Sequence, residues 1–143
     1  MEMEIKILEE GFSAPEYQHP GEDAGMDLQS RIDEIINPGE FKAIPTGIAI
    51  AIPPGFVGYV NPRSGLARDK GVTVLNSDGV VDSGFRGEVK VILINHGTRP
   101  FRIKRGDRIA QLIIHRFEQV TWKKVDNLSE TTRKEKGFGQ TGV

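Results

Sequence analysis

The sequence predicts an all-β domain, a sandwich, jelly roll or barrel, and three observations carry that expectation. Apolar residues recur with a period of two in several short stretches, the pattern of half-buried strands. Runs with strong turn chemistry separate those stretches. Only Ser64 to Lys70 offers a plausible helix, barely two turns long. Many short strands with regularly spaced turns fit an architecture of two layers or a closed sheet.

Taken in chain order, Ile5 and Ile7 alternate with charges and predict a half-buried first strand. Ile48, Ile50 and Ile52 alternate with alanines, and Val57 and Val60 flank Tyr59. Val89, Val91 and Leu93 predict another strand, and Ile109 to Phe117 reads as a longer one. Between them lie Asn37-Pro38-Gly39, Pro53-Pro54-Gly55, Ser77-Asp78-Gly79, His96-Gly97 and Arg105-Gly106-Asp107, residues that favour reversals of the chain. There is no internal repeat. After Trp122 neither periodicity continues. The remainder is charged and ends glycine-rich, which predicts a β domain over residues 1–125 and a flexible arm over 126–143.

At 143 residues the chain fits one domain with a real core. Its formal net charge is −1, without the basic excess of a general nucleic-acid binder, so an anionic ligand must be held by local clusters. No cysteine is present, which excludes disulfides and thiolate zinc sites. The acidic, alternating start is unlike a signal peptide, and no apolar run approaches a membrane span. The expectation is a cytoplasmic protein with neither a membrane nor a nucleic-acid partner.

Several stretches are able to carry chemistry. In Gly79-Val80-Val81-Asp82-Ser83-Gly84-Phe85, Asp82 either caps a hairpin turn or acts as a general base beside an aromatic wall. In Asn61-Pro62-Arg63-Ser64-Gly65, Ser64 either caps the helix or joins Arg63 in holding phosphate. Asp23 and Asp27 are turn residues or contributors to a hydrated cation's surroundings. Gln111, polar within an apolar strand, reads first as a satisfied hydrogen-bonding group. The basic stretch Arg99 to Arg108 reads as a solvated hairpin, having only Phe101 as a stacking aromatic. His19, His96 and His115 lack the spacing of metal ligands. The terminal Gly137-Phe138-Gly139-Gln140-Thr141-Gly142 matches a dinucleotide fingerprint in letters only. That fingerprint needs a strand before it and a helix after it, and only Val143 follows here.

The order of these stretches is more specific than any one of them. "AGMDL", "PRSGLA", "GVVDSGFRGEVKVILIN", "RGDRIAQLI" and "RKEKGFGQTG" resemble, in sequence and spacing, the five motifs of the trimeric dUTP diphosphatase (dUTPase) family, from near Gly21 to Gly142. The resemblance implies a jelly-roll-like (β-clip) subunit, assembled as a homotrimer with active sites at subunit interfaces. It implies hydrolysis of dUTP to dUMP and diphosphate, with Mg2+ bound through the triphosphate and water rather than directly by side chains. Asp82 is then the residue that activates water and contacts the sugar, with Gln111 as its catalytic companion. Arg63, Ser64 and Gly65 hold phosphates, and Asp27 shapes the water network on the metal side. Asn76, Gly79, Val80, Val81 and Lys90 fall on the hairpin that forms the uracil pocket. Phe85 excludes ribose. Arg133 meets the γ-phosphate, Phe138 stacks over uracil, and Gly139 and Thr141 approach phosphate as the arm closes over a site.

Two departures stand out. The family usually has tyrosine where this chain has Phe85, which keeps the ring but loses a hydroxyl. It usually has serine where this chain has Gln140. Two rivals remain. A dCTP deaminase of the same fold needs a glutamate three residues before an asparagine that aligns with Asn95, and Ile92 stands there instead. A non-catalytic nucleotide-binding regulator would have little use for Asp82, Arg63, Gln111 and an intact arm.

Overall fold

The structure, a computed structural model, describes residues 1–137. Eleven strands and one helix occur among them: β1 Glu4–Ile7, β2 Gly25–Gln29, β3 Glu34–Ile36, β4 Phe41–Pro45, β5 Ile48–Ala51, β6 Phe56–Asn61, α1 Ser64–Lys70, β7 Val72–Val74, β8 Gly79–Val81, β9 Lys90–Asn95, β10 Phe101–Ile103 and β11 Arg108–Arg116. Every strand pair is antiparallel. A four-stranded sheet runs β2-β11-β6-β8 and a three-stranded sheet runs β4-β9-β7, with the pairs β1-β5 and β10-β3 beside them. The all-β, jelly-roll-like expectation holds, with a helix over the residues predicted for it.

The inward faces of these sheets form one core, and the alternation that predicted the strands also fills it. Val60, Val81 and Leu112 come from the four-stranded sheet; Ile44, Val74, Val91 and Leu93 come from the three-stranded one. Fully buried Leu112 and Val91 illustrate the energetic scale, since truncating such a side chain to alanine costs about 2–5 kcal/mol for leucine. In β11 the register slips between Arg108 and Ala110, a bulge on the β2 side. Ile109 and Ala110 are buried in succession there, so the bulge breaks the strict alternation that the sequence pattern implied.

Asn95 is the polar residue on which this end of the core turns. It is fully buried, and its amide donates to the carbonyls of Ile36 and Arg99, both at 2.8 Å. Its side-chain oxygen accepts the Gly97 N–H at 2.8 Å. One side chain therefore joins β9 to β3 and closes the turn toward β10. Gly97 in turn lies against Gly71, the left-handed residue that ends α1, where an added Cβ would come within 2.8 Å of the Gly97 nitrogen.

One expectation fails locally, and one of two alternatives is removed. Ile5 and Ile7 are exposed, as is all of β1, because β1 pairs only with β5 at the margin of the molecule. Ser64 does not cap the helix. Arg63 occupies the N-cap position without a side-chain cap bond, and Ser64 is the first helical residue, its side chain exposed. Past β11 there is no further strand among the described residues, and residues 118–137 are exposed throughout.

Replacing Asn95 with alanine leaves the buried Ile36 carbonyl, the part-buried Arg99 carbonyl and the Gly97 N–H without their partner. The expected loss of stability is about 3 kcal/mol or more, read from urea unfolding at a fixed protein concentration. A loss under about 1 kcal/mol would show that water replaces the amide there.

Candidate functional site

The sequence candidates form two groups. One lies in a row across β2, β11 and β6; the other runs along β8 from beside that row to Asp82, toward the opposite end of the four-stranded sheet. The first is organised by strand register. Gln111 of β11 stands opposite Asp27 of β2 on one side and opposite Asn61 of β6 on the other. Just past Asn61 the chain turns through Pro62 into α1, which brings Arg63 back toward the same row. Asp27 Oδ1 lies 3.2 Å from Arg63 Nε, and its Oδ2 accepts from Arg108 Nη1 at 3.3 Å. Arg63 Nη1 also donates to the Arg108 carbonyl at 3.0 Å. Gln111 Nε2 donates to the Pro62 carbonyl at 3.0 Å, so its carboxamide is held in place.

Two arginines share one carboxylate, which leaves a local surplus of positive charge beside a strand end and the open start of a helix. Ser64 and Gly65 are exposed there, and a Cβ on Gly65 would meet nothing within 4 Å. Guanidinium forks that are only partly committed to a carboxylate suit a multiply charged oxyanion. A cleft of about 210 Å³ opens beside Asp27 and Arg108, lined also by Phe12, Pro15, Gln29 and Thr46.

The second group lies on β8 and the loop after it. β8 pairs with β6 so that Gly79 faces Val60 and Val81 faces Gly58. Asp82, one residue further, is thus level with Val57. Gln111 is level with Asn61, four residues away along the same strand, or about 13 Å at the rise of an antiparallel strand. Asp82 is exposed, and its carboxylate makes no hydrogen bond with the described residues; only its carbonyl is engaged, accepting the Phe85 N–H at 3.0 Å. Thus the turn is closed by backbone, not by an aspartate cap. Asp82, Phe85, Val80, Lys90 and Ile92 line a pocket of about 330 Å³. The Phe85 ring lies over Gly87, where an added Cβ would come within 2.7 Å of the ring.

The hairpin's other residues are placed by the edge. β8 is the last strand of its sheet, so its outer backbone groups have no strand partner. Val80 is an exposed apolar residue on that edge, at 59%. Gly79 is buried and Asn76 exposed; Asn61 Nδ2 bonds Asp78 Oδ1 and ties the start of the hairpin to the end of β6.

A charged network backs this pocket. Glu88 Oε1 accepts the Gly47 N–H at 2.9 Å and Arg31 Nη1 at 3.2 Å. Arg31 Nε also donates to Glu9 Oε2 at 2.6 Å, and Arg105 Nη2 reaches Glu9 Oε1 at 3.1 Å. The Arg31 hydrogen bond, with help from Arg105, holds the Glu9 carboxyl below the usual carboxylate range. The same bond raises Arg31 above its ordinary value.

Several of these residues had no place in the sequence reading. Arg108 belonged to a stretch read as a solvated hairpin, yet it binds Asp27. The Arg105-Gly106-Asp107 turn is as expected, Gly106 having φ 90°, but Arg105 itself reaches Glu9 and stacks over Phe12. Gly25 leaves room for the Gln111 carboxamide, which a Cβ there would push out of its place. Glycine beside Asp27 in "AGMDL" was its only signal. Asp23 is a turn residue, accepting the His19 N–H at 2.7 Å. Arg133 is exposed and bonds the Lys136 carbonyl within its own turn at 2.7 Å, in contact with neither group. Phe138, Gly139, Gln140 and Thr141 lie outside the described residues.

Among the described residues no group of three or more histidine, cysteine, aspartate or glutamate side chains is arranged to hold a metal ion. Nor is any helix among them long and apolar enough to cross a membrane.

A family model described as dUTPase matches residues 11–142. The deoxyuridine 5'-triphosphate nucleotidohydrolase of Clostridium tetani is 48% identical over 140 residues, covering 98% of this chain and 96% of its own. That of Thermobifida fusca is 48% identical over 141 residues, covering 98% of this chain and 78% of its own. Among solved structures, the Staphylococcus bacteriophage 80alpha dUTPase, as a tyrosine-to-phenylalanine mutant with dUpNHpp, matches with a TM-score of 0.91. It is 29% identical, and the match covers 99% of both chains.

Glu9 lies lower in pKa when folded than when unfolded. Its contribution to stability is therefore present above the ordinary carboxylate value of about 4.3 and is lost as pH falls through the folded value. Glu9→Gln is expected to melt below the wild type at pH 6–7, roughly the neutral range, with the gap closing in acid. A gap that persists unchanged at low pH would mean the network acts through shape rather than charge.

Proposed function

Since this chain belongs to the dUTPase family and is a dUTP diphosphatase, we propose that its two residue groups form the two ends of one active site only when subunits assemble as a homotrimer. The separation of Asp82 from Gln111 along β6 carries this reading, because two groups that act at one α-phosphate have to meet there, and in one subunit they stand at levels four residues apart. Residues 118–137 add support: Val120 and Trp122 are exposed at 69% and 93%, apolar surface that an assembly would cover.

In this reading Arg63, Ser64, Gly65 and Gln111 receive the phosphates, with Arg108 beside them and Asp27 fixing both arginines. The β8 hairpin of another subunit receives the base. Backbone N–H and C=O groups on a free strand edge suit the acceptor–donor–acceptor edge of uracil. Cytosine presents the opposite pattern and leaves buried partners unpaired, a strong basis for rejection. Phe85, held against Gly87, fills the space a ribose 2′-hydroxyl needs.

Asp82 aligns a water and takes its proton as the water oxygen attacks the α-phosphorus. The bond to the bridging oxygen breaks and diphosphate departs. Exposed and uncommitted to any described residue, the Asp82 carboxylate is free for that role. Asp27 is not a free metal ligand, since each of its oxygens faces an arginine. The donor set therefore fits Mg2+ arriving on the triphosphate, where it supplies neutralisation of phosphate charge. Lys90 lines the pocket with Asp82, and Asn76 lies at the start of the β8 hairpin that receives the base. Arg133 meets the γ-phosphate as the arm, residues 126–143, folds over the site, and Phe138, Gly139 and Thr141 complete that cover. A cytoplasmic enzyme of this kind limits uracil in DNA and supplies dUMP for dTMP synthesis.

Deamination has little support. Ile92, in the position a deaminase would give to glutamate, lines the pocket with Asp82 and cannot shuttle protons.

Diphosphate release measured across dUTP, dTTP, dCTP and UTP with Mg2+ is expected to favour dUTP strongly. Nucleotide binding without release would replace the enzyme with a regulator. Asp82→Asn should keep dUTP binding and lose on the order of 10²–10⁴ in turnover, as removal of a general base does. Full activity in that variant would remove Asp82 from the mechanism. Cutting the chain after Asn127 should leave a folded trimer with severely reduced turnover, checked by light scattering alongside the assay; wild-type rates would sink the role given to the arm.

A further inference from the structure

We propose that Glu88 is a positioning residue for Asp82 and Phe85, and that Arg31 is the side chain that sets it. The inference rests on the role given above to the Asp82 loop and goes beyond it, because neither Glu88 nor Arg31 needs to touch the substrate.

The loop of residues 82–87 has little to hold it. Its hydrogen bonds are internal: Phe85 N–H to the Asp82 carbonyl at 3.0 Å, and Arg86 Nη1 to the carbonyls of Ser83 and Phe85 at 2.7 and 2.8 Å. Such bonds set the local turn but not where the loop points. Direction must come from the two ends. At the first, Val81 is fixed in β8 opposite Gly58. At the second, Val89 donates to the Ile48 carbonyl at 2.9 Å, and its own carbonyl accepts the Thr46 hydroxyl at 2.6 Å.

Glu88 strengthens that second end from the side facing the pocket. Its side chain is 17% exposed and lines the same pocket as Asp82 and Phe85. One oxygen takes both the Gly47 N–H and Arg31 Nη1. Gly47 is itself fixed from the other side, its carbonyl accepting the Leu8 N–H at 2.7 Å. Arg31 is fixed by Glu9 and by its backbone N–H, which donates to the Pro45 carbonyl at 2.8 Å. Through Glu88 the loop's exit is thus bolted to the β4–β5 turn, one residue beyond the Gly87 on which the Phe85 ring rests and six beyond Asp82. A carboxylate that aligns water is sensitive to displacement of about 1 Å, and a wall that excludes a hydroxyl is sensitive in the same way.

The test compares Glu88→Ala, Glu88→Gln and Arg31→Met with the wild-type full chain. Glu88→Gln keeps an oxygen for the Gly47 N–H, so it should retain most activity. Glu88→Ala should lower kcat/KM for dUTP by about tenfold or more, narrow the preference for dUTP over UTP, and speed hydrogen exchange at the Phe85 and Val89 amides. Arg31→Met should shift the same readings in the same direction, and adding it to Glu88→Ala should change them little further. A purely structural Glu88 would lower Tm in Glu88→Ala and speed exchange at core amides such as Leu112 as much as at Phe85, while leaving nucleotide preference unchanged, and that result overturns the proposal. Amide exchange requires no turnover, so it judges the positioning even if the wild type released no diphosphate from dUTP, an outcome that would remove the proposed function instead.

Discussion

The molecule depends on β11 being paired along both edges. A nine-residue strand bonded to β2 on one side and β6 on the other has no freedom to slip, because a shift of one residue would turn Leu112 outward and Gln111 into the core. That constraint does two jobs with the same hydrogen bonds. It commits Ala110 and Leu112 to the core, and it brings Asp27, Gln111 and Asn61 into one row across three strands. The end of the sheet proposed to bind phosphate is therefore a by-product of register, and its precision is that of a backbone ladder rather than of flexible side chains.

The other end is built on a different principle. The loop after β8 lacks a second strand to fix it, and polar side chains supply what a ladder would have given. Glu88, Gly47, Arg31 and Glu9 form a chain of charge-assisted bonds between segments distant in sequence. Asn95 does similar work elsewhere, with three bonds from one buried amide. Among the described residues no buried side-chain nitrogen or oxygen lacks a partner, so this polar scaffolding carries no evident desolvation debt.

Much of this was legible in the chain because period-two alternation and glycine-bearing turns act locally. The helix over Ser64–Lys70 and the run of β11 came from such signals. What escaped depends on contacts between distant segments. Arg108 looks like any charge in a basic hairpin until Asp27 is placed beside it by the β2–β11 pairing. Glu88 carries no signal of its own in the chain, and its place depends on Gly47 and Arg31 from residues far earlier. Ile5 and Ile7 show the converse error: a pattern that promises burial does not say against what, and within one subunit β1 has only β5. The candidate site was named by an ordered set of short motifs, but its division between two ends of a sheet was invisible without the register.

That division bears on inheritance. If the phosphate end and the base end of each site come from different copies, a lesion does not stay with the copy that carries it. A subunit with a damaged hairpin and one with a damaged β11 row, mixed in one assembly, would place some intact hairpins against intact rows and restore some sites. Conversely, one defective copy among sound ones would spoil sites it only partly builds. Gene dosage and dominance in such an assembly would then follow from the levels at which Asp82 and Gln111 stand along β6.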